Sequence, residues 1–349
     1  MGGGGGAQAG DGGGRGGGER YTYMGHDVGA ERGSMTNRQG LRLATYTWRC
    51  RRGPPRGVVV AAHGLDVHAK FDMLKASEPG KPHVTNTGVA GALSGAHGPA
   101  AERPDFACCD VIGLDHQSYG ESEGALGPKY RSFFWSFQDL VEDFAQLITQ
   151  IRAEPRYEGL PVFLKGSSLG GGVCLAIAAT RPELLDGFVL VAPLITLDRV
   201  KSQSWNPYLR PLAGLISRIY PTLPAGTKSP NPNRTQYEEF EVDEQTHKGM
   251  VRARVATEVL NYTDAVVELL PRVTAPFLVL HSPGDNMTEF AGSQMLMELA
   301  ATPAELKRLD AVDGWHAVLH EKDGHKHIAT IAEWVAERVA AHEAKGAQQ

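Results

Sequence analysis

Short apolar runs alternate along the chain with segments of helical period. Leu41, Leu43, Thr45 and Thr47 occupy alternate positions and predict a strand. Val58-Val59-Val60-Ala61-Ala62 is apolar throughout and stops at His63-Gly64, the pattern of a strand buried on both faces. Asp110–Asp115, Val162–Leu164, Phe188–Val191, Phe277–Leu280 and Leu306–Leu309 predict further strands. Between them lie helical periods. Ser136 with Asp139 three residues later predicts a capping box, and Leu140, Val141, Phe144, Leu147, Ile148 and Ile151 then share one face. Leu169–Ala179 predicts a second helix, stopped by Arg181-Pro182, and Ile328, Ile331, Val335 and Val339 predict a C-terminal one. Strands alternating with helices predict an α/β fold, a mostly parallel central sheet with helices on both faces.

The rhythm fails in three places. Residues 1–20 hold twelve of the chain's 42 glycines and are expected to form a disordered leader, since glycine brings no side chain to bury. Residues 75–106, with Pro79, Pro82 and Pro99, show no periodicity and read as a surface loop insertion. Residues 194–258 carry a Pro/Asn-rich middle between two helical patterns and read as an inserted helical segment. The expected organisation is therefore a core in two parts, 37–193 and 259–340, separated by 194–258 and followed by a tail at 341–349.

Composition narrows the function classes. Of 349 residues, 35 are Lys or Arg and 40 are Asp or Glu, a net charge of −5, which argues against nucleic acid as the main partner. Cys50, Cys108, Cys109 and Cys174 match no zinc spacing and are too few for a disulfide framework. They are expected to be reduced thiols, which points to a cytoplasmic location. The N-terminus shows neither a signal peptide nor a myristoylation pattern, and no apolar run reaches the length of a membrane span.

Candidate chemistry centres on two Gly-x-Ser-x-Gly runs. Gly166-Ser167-Ser168-Leu169-Gly170 follows an apolar strand and opens an apolar helix, the context that turns a serine outward at a sheet edge. Gly120-Glu121-Ser122-Glu123-Gly124 leads into Ala-Leu-Gly-Pro, and its two carboxylates oppose an alkoxide. Ser168 is therefore the candidate nucleophile. A serine needs a histidine to take its proton and an acid to orient that histidine, in the chain order Ser, Asp, His. Asp285, in the loop after Phe277–Leu280, is the candidate acid, ahead of Asp310 and Asp313. His316 is the candidate base with His320 as its rival, while His325 and His327 sit in a charged turn. The backbone N–H groups of Leu65 and Leu169 are the candidate oxyanion donors. His63 is expected to be a loop histidine held by hydrogen bonds.

Together these residues resemble the α/β-hydrolase fold, and within it the monoacylglycerol lipases and lysophospholipases of the serine-aminopeptidase-like group. The resemblance rests on His63-Gly64-Leu65-Asp66-Val67-His68, on Asp115–Gly124, on the elbow at Ser168, on Asp186–Pro193 and on Trp315–Glu321. It implies a structural Ser122, His316 rather than His320 as the base, and a cap or lid at 194–258. Ser118 and Tyr119 stand in place of a Gly-His pair, and Asp66 stands where many members have glycine.

The implied activity is hydrolysis of carboxylic esters of lipids, monoacylglycerol or lysophospholipid above all, through Ser168, His316 and Asp285 and without metal or organic cofactor. The implied partners are a small lipid ester and, through the cap, transiently a membrane surface. Two other readings stand beside this one. One is a thioesterase, peptidase or other esterase on the same triad; the other is a non-catalytic ligand receptor of the same fold.

Overall fold

The structure is a computed structural model that describes residues 20–347 except 25, 79–80, 86–87, 97–107, 203–205 and 227–239. Its first strands, β1 (Arg20–Tyr23), β2 (His26–Thr36) and β3 (Arg42–Trp48), pair antiparallel in sequence order. The expected leader thus gives up Arg20 to β1, and 1–19 lie outside the described residues. The core begins well before residue 37. Strand β2 carries Gly29 and Gly33 among charged residues, so its apolar alternation is weak. At Gly33 a Cβ would lie 2.8 Å from Thr45 Oγ1 on β3, so a larger residue there would have to displace that hydroxyl.

Strand β4 (Gly57–Ala62) is buried at every position, as its unbroken apolar run requires. A short helix, α1 (Ala69–Met73), follows, then a hairpin of β5 (Lys75–Glu78) and β6 (Lys81–Thr85), then α2 (Val89–Ser94). All six residues of α2 are buried, which corrects the expected surface insertion at 75–106. The helix escaped the periodicity argument because it is short and small-residued, Val-Ala-Gly-Ala-Leu-Ser, with glycine at both caps. Residues 97–107 lie outside the described ones.

Strand β7 (Cys109–Leu114) pairs with both β3 and β4. That pairing brings the end of β3 to the start of β7, and Cys50 and Cys108 form a disulfide with Cα atoms 5.4 Å apart. Four reduced thiols were expected; Cys109 and Cys174 remain thiols, both buried. A separation of 58 residues hid the pair, and the argument for a reducing compartment loses its premise.

Helix α3 (Phe137–Ala153) opens with the expected capping box: Ser136 Oγ accepts from Gln138 N at 3.2 Å, and Ser136 N donates to Asp139 Oδ2 at 3.1 Å. The chain continues through β8 (Val162–Ser167), α4 (Leu169–Thr180) and β9 (Gly187–Val191). The expected cap holds α5 (Asp198–Ser202), α6 (Asn206–Ile219) and a small pair of strands, β10 (Pro224–Gly226) and β11 (Val251–Arg252). Helix α7 (Ala253–Leu269) runs straight across the expected boundary at 258. The last elements are β12 (Phe277–His281), α8 (Phe290–Leu299), β13 (Lys307–Ala311) and α9 (Gly324–Gly346). Helix α9 absorbs most of the expected tail, since His-Glu-Ala-Lys continues a helix readily and Arg56 pairs with Glu343 at 2.6 Å.

Among the described residues the main sheet has nine strands in the order β1-β2-β3-β7-β4-β8-β9-β12-β13. From β7 to β13 all neighbours are parallel. Helices α3, α4 and α7 contribute to the apolar core on one face, and α1, α2 and α9 to that on the other. The loops that leave β4, β8, β12 and β13 therefore emerge at one edge, the carboxyl end of the parallel strands, where side chains from distant sequence positions can meet. Among the described residues no helix is long and apolar enough to cross a membrane.

Candidate active site

Ser168 sits between β8 and α4 with φ +51 and ψ −114, a conformation that costs a non-glycine residue roughly 1–3 kcal/mol. The surroundings hold it there. Its N–H donates to Val191 O at 3.0 Å, and its carbonyl accepts from Leu194 N at 2.9 Å and Gly172 N at 3.1 Å. The flanking glycines are sterically required: a Cβ on Gly166 would lie 2.4 Å from Gly170 O, and one on Gly170 2.1 Å from Ala62 O. The turn therefore closes only with bare backbone on both sides of the serine.

His316 Nε2 lies 3.0 Å from Ser168 Oγ, and its Nδ1 lies 2.7 Å from Asp285 Oδ2. The carboxylate fixes the proton on Nδ1 and leaves Nε2 free to accept from the serine hydroxyl. Asp285 is buried beneath this pair. Its Oδ1 accepts from Met287 N at 2.7 Å and Thr288 N at 3.0 Å, and its Oδ2 from Thr288 Oγ1 at 2.9 Å and His281 Nε2 at 3.2 Å. Burial pushes this carboxyl up, but the hydrogen bonds from His281, His316 and Met287 N together outweigh it and hold it well below the usual carboxylate range.

The rival residues are elsewhere. His320 stacks on Phe71 with ring centroids 5.2 Å apart. Asp310 pairs with Arg308. Ser122 accepts from Ala44 N at 2.8 Å and donates to Asp115 O at 2.7 Å, a bracing role between strands. Ser167 accepts from the buried Lys165 ammonium at 2.6 Å, and that ammonium also pairs with Asp72.

The loop after β4 reaches the serine from the other side. A Cβ on Gly64 would meet Ser168 Cβ at 3.4 Å, so the backbone at Gly64, one residue before Leu65, passes directly beside Ser168. Leu169 is the first residue of α4, where the N–H has no intrahelical acceptor and the helix dipole is positive. His63 Nδ1 donates to Gly64 O at 2.8 Å, its Nε2 accepts from His116 N at 3.0 Å, and His116 Nε2 donates to His63 O at 3.1 Å. Burial pushes the His63 imidazole down to about 3 and lowers His116 as well, so both are neutral braces. Asp66 and Ser118 both take positive φ, +67 and +69, the conformation for which glycine is the usual residue. Hydrogen bonds to Ser132 hold both: its Oγ donates to Asp66 Oδ1, and its N–H donates to Ser118 O.

Sequence reasoning missed His281, Thr288 and Ser293, which together hold the Asp285 carboxylate; Ser293 Oγ donates to His281 Nδ1 at 2.7 Å. The four-residue spacing from His281 to Asp285 was a usable signal for one of them. On the sequence, Leu209, Leu212, Leu215, Ile216 and Ile219 with Tyr208 and Tyr220 read equally as the lining of an acyl pocket and as a face packed on the core. Leu212, Leu215 and Ile219, three and four residues apart on α6, are 51%, 55% and 58% exposed and face outward with Tyr220. Ile216 is half-buried, while the side chains of Tyr208 and Leu209 lie outside the described residues.

Residues 101–323 match the family described as serine aminopeptidase, S33. The chain is 28% identical to monoglyceride lipase of Rattus norvegicus over 313 residues, covering 88% of this chain and 90% of that protein. It is 26% identical to monoacylglycerol lipase of Mycolicibacterium smegmatis, covering 85% and 93%. A soluble variant of monoglyceride lipase from Saccharomyces cerevisiae, solved with a substrate analog, superposes with a TM-score of 0.70 at 15% identity, covering 91% of this chain and 98% of that one. That likeness establishes a shared fold.

Proposed function

The chain belongs to the serine aminopeptidase, S33 family, and from that premise we propose that it hydrolyses carboxylic esters of lipids, with monoacylglycerol or lysophospholipid as the preferred substrate. Ser168 Oγ attacks the ester carbonyl as its proton passes to His316 Nε2, and Asp285 stabilises the imidazolium that forms. The carbonyl oxygen becomes an oxyanion and is held by the N–H groups of Leu65 and Leu169. The tetrahedral adduct expels the alcohol, which takes the proton from His316. Water then attacks the acyl-serine with His316 as base, releasing the fatty acid and restoring the serine hydroxyl.

The observation that carries this reading is the hydrogen-bonded line from buried Asp285 through His316 to a strained, glycine-flanked Ser168. A receptor has no use for that strain. Lipid esters are favoured over peptides by the relatives' activity and by the outward apolar face of α6, which we assign to transient contact with a lipid surface. In this reading residues 194–258 act as the cap. Hydrolysis of matched long-chain monoacylglycerol, lysophospholipid, short p-nitrophenyl esters and aminoacyl anilides tests the proposal. A kcat/KM highest on the first two supports it, and preference for the anilides contradicts it.

A further inference from the structure

One feature of the site lies outside the triad and its acid seat: a stretch of the cap is fastened to both the loop after β4 and its neighbours. Asp243 Oδ2 accepts from His68 Nε2 at 2.7 Å and from Tyr23 OH on β1, and His68 and Asp243 are both buried. Two residues on, Gln245 Nε2 donates to Glu121 Oε1 at 3.4 Å. Two further, His247 N donates to Asp66 O at 2.8 Å. Alternate residues of one short segment thus grip the segment 63–68 at Asp66 and His68, just past Leu65.

The opposite end of that segment is pinned by the His63–His116 pair. Between the two anchors, Asp66 holds φ +67, a left-handed conformation that aspartate adopts less readily than glycine and that these contacts help to hold. Asp243 is suited to such enforcement. Burial pushes its carboxyl up, yet the His68 and Tyr23 side chains and Gln245 N bring it down to about 2, so it remains an acceptor at any working pH. A buried hydrogen bond to a carboxylate is short and directional, so it fixes one arrangement of the two segments that it joins.

We propose that Asp243 is a positioning residue for the oxyanion donor: through His68 and the adjoining His247–Asp66 bond, the cap sets where the Leu65 N–H points. This rests on the reading of Leu65 as an oxyanion donor. It makes the cap part of the catalytic geometry as well as a cover.

The test uses the full chain, p-nitrophenyl butyrate, and an alkyl boronic acid whose serine adduct places a hydroxyl where the oxyanion forms. Asp243→Asn lowers kcat about tenfold with KM within about twofold, and raises the boronate Ki by the same factor as kcat falls. Tyr23→Phe, which keeps the ring and removes one donor, lowers kcat about threefold in parallel with boronate affinity. It carries the test should Asp243→Asn fail to fold. Wild-type kcat and boronate affinity in the folded variants overturn the inference while leaving the triad untouched, as does a loss confined to KM. A wild-type enzyme that hydrolyses the ester but gains no affinity from the boronate hydroxyl removes the oxyanion reading, and this inference with it.

Discussion

At the scale of single residues, the site is a set of side chains each held by a different local device. Ser168 was legible because its turn tolerates only glycine at 166 and 170, and that constraint is written in the sequence. His316 and Asp285 were legible through their order along the chain and their loops after strands. Their supports were not. Thr288, His281 and Ser293 look like ordinary polar residues until the chain folds them around one carboxylate. Their weight is measurable. Asp285→Asn retains the shape but favours the wrong tautomer of His316, and kcat falls about 10⁴-fold. Thr288→Val removes one neutral donor to the same oxygen and lowers kcat about tenfold, the value of about 1.4 kcal/mol. Steady-state kinetics on a short ester check both, and an unaffected Thr288→Val shows that the hydroxyl is dispensable for seating the acid.

At the scale of elements, apolar runs and caps identified all six parallel strands and the helices α3, α4 and α9. What they missed has physical reasons. Strand β2 is glycine-bearing and charged, which hides its alternation, and a Cβ at Gly33 would press on the Thr45 hydroxyl of β3. Helix α2 has too few residues for a period of 3.6 to declare itself. Helix α6 shows the reverse case, where the sequence revealed an apolar face and the structure reveals its direction. Burying Leu215 and Ile219 in a lipid surface is worth about 1.5–3 kcal/mol each. Replacing both with Glu therefore reduces binding to phosphatidylcholine vesicles at least about tenfold and cuts turnover of vesicle-borne long-chain monoacylglycerol to match, with a soluble short ester unaffected. Vesicle sedimentation and paired kinetics check this, and equal losses on both substrates exclude a surface role for α6.

At the scale of the whole molecule, the sheet collects four loops at one edge, and its order was not readable from periodicity, which is silent on which strands pair. The same is true of the Cys50–Cys108 disulfide and of the braces that cross between layers. Those braces give the fold a defined response to acid. His63 has a folded value of about 3 against about 6.5 in an unfolded chain. Above 6.5 neither state binds the proton; below it the unfolded chain does and the folded one does not, so stability falls as pH drops. From pH 7 to pH 5 this single group removes about 2 kcal/mol, and His116 acts in the same direction. Asp243 adds a second loss lower down, as pH falls from about 4 towards its folded value of about 2. Denaturant unfolding at pH 7 and pH 5 measures the first effect, and His63→Asn shows a shallower dependence. An unchanged slope rules out His63 as its source.

Ser168 as an activated nucleophile, at the sheet edge where the loops leaving β4, β8, β12 and β13 emerge, is the core of the proposal. An active-site-directed fluorophosphonate, followed by peptide mass mapping, tests that most directly. The expected result is one phosphonylated residue, Ser168, formed with loss of esterase activity, and no labelling in Ser168→Ala or in His316→Ala on the same timescale. Absence of labelling in the wild-type protein, or labelling at Ser122 or Ser167 with activity intact, contradicts it.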